Sequence, residues 1–223
     1  RPVVVMVDQR LPMFFGSRQK MKSVVAAEVA ALTAWRLLAV GDRVGAILFN
    51  DHRSLEVKPT RNQRKTNGWL GDLTTMNNEL SVKPANASNP AGLTDALRLL
   101  ERSIGHDYLV VLISDFHGWN DAALKTICRI NQHNDIICSL VYDPLESDIS
   151  GANELVVSDG RLQLEINPDE QELGKKFEES FRSSVAFVQG ELKRHNILVM
   201  PVDTVTPVTR QLREKLGGQR VLQ

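Results

Sequence analysis

The sequence predicts an α/β fold: a doubly wound, mainly parallel sheet with one antiparallel edge strand and a small β-hairpin as decoration. Three observations predict it. Two unbroken apolar runs, residues 3–7 (VVVMV) and 109–114 (LVVLIS), are strand-sized and do not alternate, as in strands buried on both faces. Between such runs lie segments whose apolar residues recur at helical spacing, and strands alternating with helices imply parallel pairing through right-handed crossovers. One pair of short runs flanks Ser158-Asp159-Gly160, a hairpin signal outside that alternation.

Each element follows in order. The first strand ends at Asp8, before a loop over 9–17. Residues 20–40 read as a long helix with Val24, Val25, Ala27, Val29, Leu32, Trp35, Leu37 and Leu38 as its apolar set, stopped by Gly41-Asp42. Residues 43–50 (RVGAILFN) form a second buried strand, and the alternating residues 52–58 an edge strand hairpinned to it. A more polar helix covers 61–80, and a loop rich in Asn, Ser and Pro covers 82–90. The helix over 92–104 presents Leu93, Ala96, Leu97 and Leu100 on one face. The strand 108–114 ends at Asp115. A helix over 121–133, a strand over 135–142 and a loop over 143–151 come next. The hairpin pairs 154–157 with 161–165. A long helix over 168–195, a strand over 197–202 and a closing helix over 207–216 complete the chain. No repeat, low-complexity run or linker interrupts it, so residues 1–223 are expected to form one domain, the C-terminal part of a longer protein.

Composition narrows the function classes. The 223 residues carry 27 basic and 27 acidic side chains, and 42% are hydrophobic. A balanced charge argues against nucleic acid as the main partner, since phosphate binding needs a basic excess. The stripes Lys58, Arg61, Arg64, Lys65 and Arg210, Arg213, Lys215, Arg220 read as solvated helix faces, and the acidic 169–179 suits a helix N-terminus. No apolar run has the length of a membrane span. Cys128 and Cys138 have no metal-ligand spacing and read as buried thiols of a reducing compartment, so a cytoplasmic location is expected for this part of the protein.

The candidate site lies where open α/β sheets bind ligands, beyond the carboxyl ends of the strands. Two strands end there in aspartates, Asp8 and Asp115, and paired carboxylates suit a hard divalent cation; each aspartate could equally cap its following loop or helix. The loops that follow are apolar for loops: Pro12, Met13, Phe14 and Phe15 after the first, Phe116, His117 and Trp119 after the second. If both crown one sheet edge, they form a rim fit for a protein partner; the alternative is that Phe15 and Phe116 tuck into the core.

These residues also carry a resemblance. RPVVVMVDQRLPMFFG, an Ala-rich helix and GDRVGAILF, then LVVLISDF, VYDPLE and a late VDT, resemble in that order the bacterial domain-of-unknown-function family 58. The resemblance covers nearly the whole chain. It implies a von Willebrand factor A-like fold, and a partnership with MoxR-type AAA+ ATPases in assembly or chaperone-like tasks. It also implies descent from a metal-ion-dependent adhesion site, Asp-x-Ser-x-Ser with a later Thr and Asp. Asp8 and Asp115 match the two aspartates. Arg10 and Pro12 stand where the serines belong, one bringing a positive charge and the other no side-chain oxygen. The Thr position falls on Ala91, with Thr94 inside the helix. The site is therefore expected to be degenerate, with either Arg10 pairing with Asp8 or Asp115 in place of the ion, or Mg²⁺ held loosely by the two carboxylates and water.

Enzyme motifs are missing. There is no phosphate-binding G-x-x-x-x-G-K-[ST], no G-x-G-x-x-G after the first strand and no G-x-S-x-G elbow. An aspartyl phosphotransferase at Asp8 would need a second Asp at position 10, and an Asp8/His117/Asp115 cluster has no nucleophile. The expectation is a non-enzymatic protein-interaction domain without a cofactor. It would bind through Arg10, Pro12, Met13, Phe14, Phe116, His117 and Trp119, with Asp8 and Asp115 as the remnant metal ligands. The alternatives are a working Mg²⁺ adhesion site that adds Thr94 or Ser88, and a hydrolase using Asp8.

Overall fold

A computed structural model describes residues 1–80, 88–147, 155–158, 163–166 and 171–217. The expected loop 82–90, the acidic stretch 169–179, the turn of the hairpin and Arg220 lie wholly or partly outside the described residues.

Six strands form the main sheet: β1 (Pro2–Asp8), β2 (Arg43–Phe49), β3 (Ser54–Thr60), β4 (Leu109–Ser114), β5 (Asp135–Tyr142) and β8 (Leu198–Asp203). Their order is β3-β2-β1-β4-β5-β8, parallel throughout except for β3 against β2. This is a doubly wound sheet, as expected, with the antiparallel strand at one edge. β6 (Leu155–Ser158) and β7 (Gln163–Ile166) pair separately as the antiparallel hairpin. The helices are α1 (Lys22–Ala39), α2 (Gln63–Glu79), α3 (Gly92–Ser103), α4 (Asp121–Asn131), α5 (Pro144–Ser147), α6 (Gln171–Arg194) and α7 (Val208–Gly217). Among the described residues no helix is long and apolar enough to cross a membrane.

Alternation along β1 divides the core. Val3, Val5 and Val7 join the cluster built with α1, α2 and α7; Val4 and Met6 join the one built with α3, α4 and α6. Successive strand residues point to opposite faces, so a strand covered on both sides must be apolar at every position. Helix ends obey local chemistry. Asn62 accepts the amides of Arg64 and Lys65 to start α2, and Asn120 accepts that of Ala123 to start α4. Gly41, at φ +86°, follows the end of α1. Gly45 admits a bulge between β2 and β3: a Cβ there would sit 2.3 Å from the Val57 carbonyl oxygen.

Two expectations are corrected. Leu32 and Trp35 do not face the core; each is 38% exposed, and α1 lies on the sheet through Val25, Ala26, Val29, Ala30 and Ala34. Small residues let the helix approach the sheet and turn its bulky side chains outward. The span 143–151, read as loop, begins with the single turn of α5. Asp143-Pro144-Leu145-Glu146 is a capping box: Asp143 Oδ1 accepts the Leu145 amide, and Glu146 Oε2 accepts the Asp143 amide.

β1 has β2 on one side and β4 on the other, so the crossover direction reverses between β1 and β4. The carboxyl ends of these two strands therefore flank the crevice where such sheets bind ligands.

Candidate functional site at the carboxyl ends of β1 and β4

Both strand-tip aspartates are engaged by cations of the chain itself. The chain turns immediately after Asp8, and Asp8 Oδ1 accepts the Arg10 backbone amide at 3.0 Å. That turn folds the Arg10 side chain back over the strand end. Its Nε reaches Asp8 Oδ1 at 3.0 Å and its Nη2 reaches Asp8 Oδ2 at 2.7 Å, a bidentate pair. Both side chains are fully buried. Nη2 also donates to the His117 carbonyl at 3.0 Å, tying the loop after β1 to the loop after β4. The guanidinium lies 5.6 Å from the Phe49 ring centroid, and the Arg10 Cδ packs where a Cβ on Gly92 would be, 2.9 Å away. Burial pushes the Arg10 pKa down, but Asp8 outweighs it and holds it above the ordinary value.

Ser114, the last residue of β4, completes the shell of Asp8. Its hydroxyl donates to Asp8 Oδ2 at 2.6 Å and accepts the Phe116 amide at 2.9 Å. Asp8 thus accepts from two donors at each oxygen. Asp51, after β2, steadies the surrounding loops by accepting the Leu11 and Asn89 amides at 2.6 and 2.7 Å.

Asp115 has a different partner. Lys22, in the first turn of α1, donates from Nζ to Asp115 Oδ2 at 2.9 Å and to Glu146 Oε1 at 2.6 Å. The three side chains are between 3% and 9% exposed. The Phe15 carbonyl accepts the Lys22 amide at 2.7 Å, so the loop after β1 sets the start of α1. Burial opposes ionisation of Asp115, but Lys22, Arg10 and the His117 amide prevail and hold it at about 2. Lys22 is raised above its ordinary value because both carboxylates outweigh burial. Glu146 is also raised, since burial exceeds what Lys22 and the Asp143 amide return. Behind Glu146, the Asp143 carboxylate accepts from the Thr204 hydroxyl and the Ser17 amide.

The sequence reading brought Asp8, Arg10, Asp115, Phe116 and His117 to this edge, and the structure places them together. It corrects which of the rim residues a partner could touch. Arg10 and Met13 are fully buried and Phe116 is 3% exposed. The one-turn helix over Leu11–Met13 rotates Met13 into the core beside α1, and Phe116 inserts into the other core against Trp119, their rings edge to face at 5.7 Å. Pro12, Phe14 and Trp119 are half-buried and His117 is exposed, so these four form the accessible rim. Thr94 lies in α3, where its hydroxyl meets Asn120 Oδ1 at 3.3 Å. The Ser88 hydroxyl is buried without a hydrogen-bond partner among the described residues.

Lys22, Ser114 and Glu146 were missed. The D-x-x-E signature at 143–146 was there to flag Glu146 as an ordered side chain. Lys22 had no local signal, because it meets its partners from 93 and 124 residues away.

The donor set does not fit a hard divalent ion as arranged. An ion between Asp8 and Asp115 would have to displace a bidentate guanidinium and a buried ammonium, and positions 10 and 12 supply no oxygen ligand.

Comparison with known proteins gives a family and no activity. The model of the family "Protein of unknown function DUF58" matches residues 1–186, and the chain belongs to that family. No curated protein matches. A crystal structure described as an uncharacterized membrane spanning protein from Vibrio fischeri is similar, at 13% identity over 98% of both chains with a TM-score of 0.32. At that score the likeness carries no argument.

Proposed function

We propose that this family member is a non-enzymatic protein-interaction domain of von Willebrand factor A-like build, which binds its partner through the carboxyl-end rim without a metal ion. The observation that carries the reading is the double internal neutralisation: Arg10 on Asp8 and Lys22 on Asp115. In a metal-dependent adhesion site the corresponding carboxylates face the ion, and the ion recruits an acidic residue of the partner. Here fixed side-chain cations hold the loops in place without an ion. The full burial of Asp8 under four donors also argues against its use as a nucleophile. The proposed partner is a MoxR-type AAA+ ATPase or a client that it remodels, and that assignment rests on the family resemblance.

The test is binding of a nucleotide-free MoxR-type ATPase to the immobilised domain, in EDTA and again with Mg²⁺. The reading expects equal affinity in both, and loss of binding with Trp119→Ala. Binding that requires Mg²⁺ and disappears with Asp8→Ala would overturn it in favour of a working adhesion site.

A further inference from the structure

Beside the ion cluster the rim has a second wall. The middle of α6 runs past the loops after β1 and β4 and leaves a cleft of about 440 Å³ between them. Pro12, Phe15 and Trp119 line one side, and Phe181, Val185 and Phe187 the other. Phe187 stands on the lip at 58% exposure, an aromatic side chain presented to solvent. Lys22, Asp115 and Glu146 also line this apolar cleft.

Among the described residues the charge in this cleft is unbalanced. One ammonium serves two carboxylates, and its open side faces the Phe15 ring at 5.8 Å. Asp143, behind Glu146, adds a further carboxylate, and the Arg10 guanidinium, bidentate on Asp8, also acts on Asp115 through space, so that four carboxylates share two cations. Each carboxylate oxygen facing Lys22 has accepted one hydrogen bond and has a lone pair to spare. An acidic side chain entering here would meet a net negative cluster. A basic one would meet an acceptor pair at the end of an apolar slot, in surroundings that strengthen the attraction.

We propose that this cleft is the partner-contact pocket and that it takes an aromatic or aliphatic side chain flanked by an arginine or lysine. The proposal rests on the reading of the carboxyl-end rim as a protein-binding surface. It reverses the polarity of a metal-dependent adhesion site, where the partner's residue is acidic.

The probes are three capped dipeptides, acetyl-tryptophanyl-arginine amide and its glutamate and glutamine counterparts, titrated into the ¹⁵N-labelled chain. The readouts are the Trp119 indole N–H and the His117 backbone amide. The arginine peptide is expected to saturate at a concentration roughly fivefold or more below the glutamate peptide, with glutamine between them. Glu146→Gln should shrink that ratio toward one. Phe187→Ala changes an exposed lip residue and leaves the fold in place; it should weaken all three peptides alike. Equal or tighter binding of the glutamate peptide would overturn the charge preference while leaving the rim as a binding surface. Silence of both resonances with all three peptides would overturn the pocket, and the ATPase experiment judges the rim separately.

Discussion

Replacing Lys22 by methionine isolates the most consequential interaction of the site. Methionine keeps an unbranched side chain of similar length and removes only the charge and its donors. The side chains left behind, Asp115 and Glu146, are 6% and 9% exposed and lose an ammonium that stood 2.9 and 2.6 Å away. Breaking a buried pair from one side costs roughly 3–5 kcal/mol, because the remaining charge stays desolvated. Urea unfolding near pH 7.5 should show that loss against the native chain. The penalty must also depend on pH. In the native chain Asp115 sits at about 2, below its ordinary value, so its contribution is fully present above the ordinary carboxylate range. Glu146 is already raised in the native chain, where Lys22 limits the rise. In Lys22→Met burial and mutual repulsion raise the pair further, so the variant gains more than the native chain as pH falls and one carboxyl takes a proton. The gap between variant and native chain should therefore narrow between about pH 7.5 and about pH 4.5. The triple variant Lys22→Met/Asp115→Asn/Glu146→Gln, with no charge left to strand, should be more stable than Lys22→Met at the higher pH. A loss below about 1 kcal/mol would place the ammonium in solvent and refute the buried cluster. A gap that ignores pH would refute the two-carboxylate arrangement.

Two further outcomes follow from the same geometry. Asp115→Asn should flatten the acid limb of stability: the native carboxylate contributes about 2 kcal/mol above the ordinary range, lost as pH falls from about 4 toward about 2, and denaturant melts across that range should show the native slope but a shallower variant slope. Gly118→Ala should cost about 1–3 kcal/mol in a thermal melt. Gly118 sits at φ +78°, and a Cβ there would lie 2.6 Å from the Pro90 carbonyl oxygen. An unchanged melting temperature would mean that the loop after β4 does not touch the segment ahead of α3.

Much of the fold was legible in the chain because its determinants are local. The short unbroken apolar run of β1 pointed to a strand covered on both faces, and the apolar stripe of α3 to a helix with one buried face. The position of Asp8 and Asp115 at strand ends followed from the same runs. Exposure was less legible. The apolar residues of α1 repeat around most of its circumference, so the spacing did not distinguish Ala26, Ala30 and Ala34, which face the sheet, from Leu32 and Trp35, which do not. Likewise Met13 and Phe14 are adjacent and both apolar, and only the short helix after Arg10 decides that Met13 goes inside.

The sequence by itself determined the α/β class, the antiparallel edge, the absence of side-chain oxygens at positions 10 and 12, and the presence of a cation two residues from Asp8. Those are statements about residue identity and near neighbours. Only the tertiary structure decided that Arg10 pairs with Asp8, that Lys22 neutralises Asp115, and that Glu146 joins them to leave a net negative cluster in an apolar cleft. The Arg10–Asp8 pair is local, but the two pairings of Lys22 cross 93 and 124 positions of chain. They arise because the crossovers bring α1, β4 and α5 to one edge of the sheet, where charged groups shut away from water stabilise one another only in partnership.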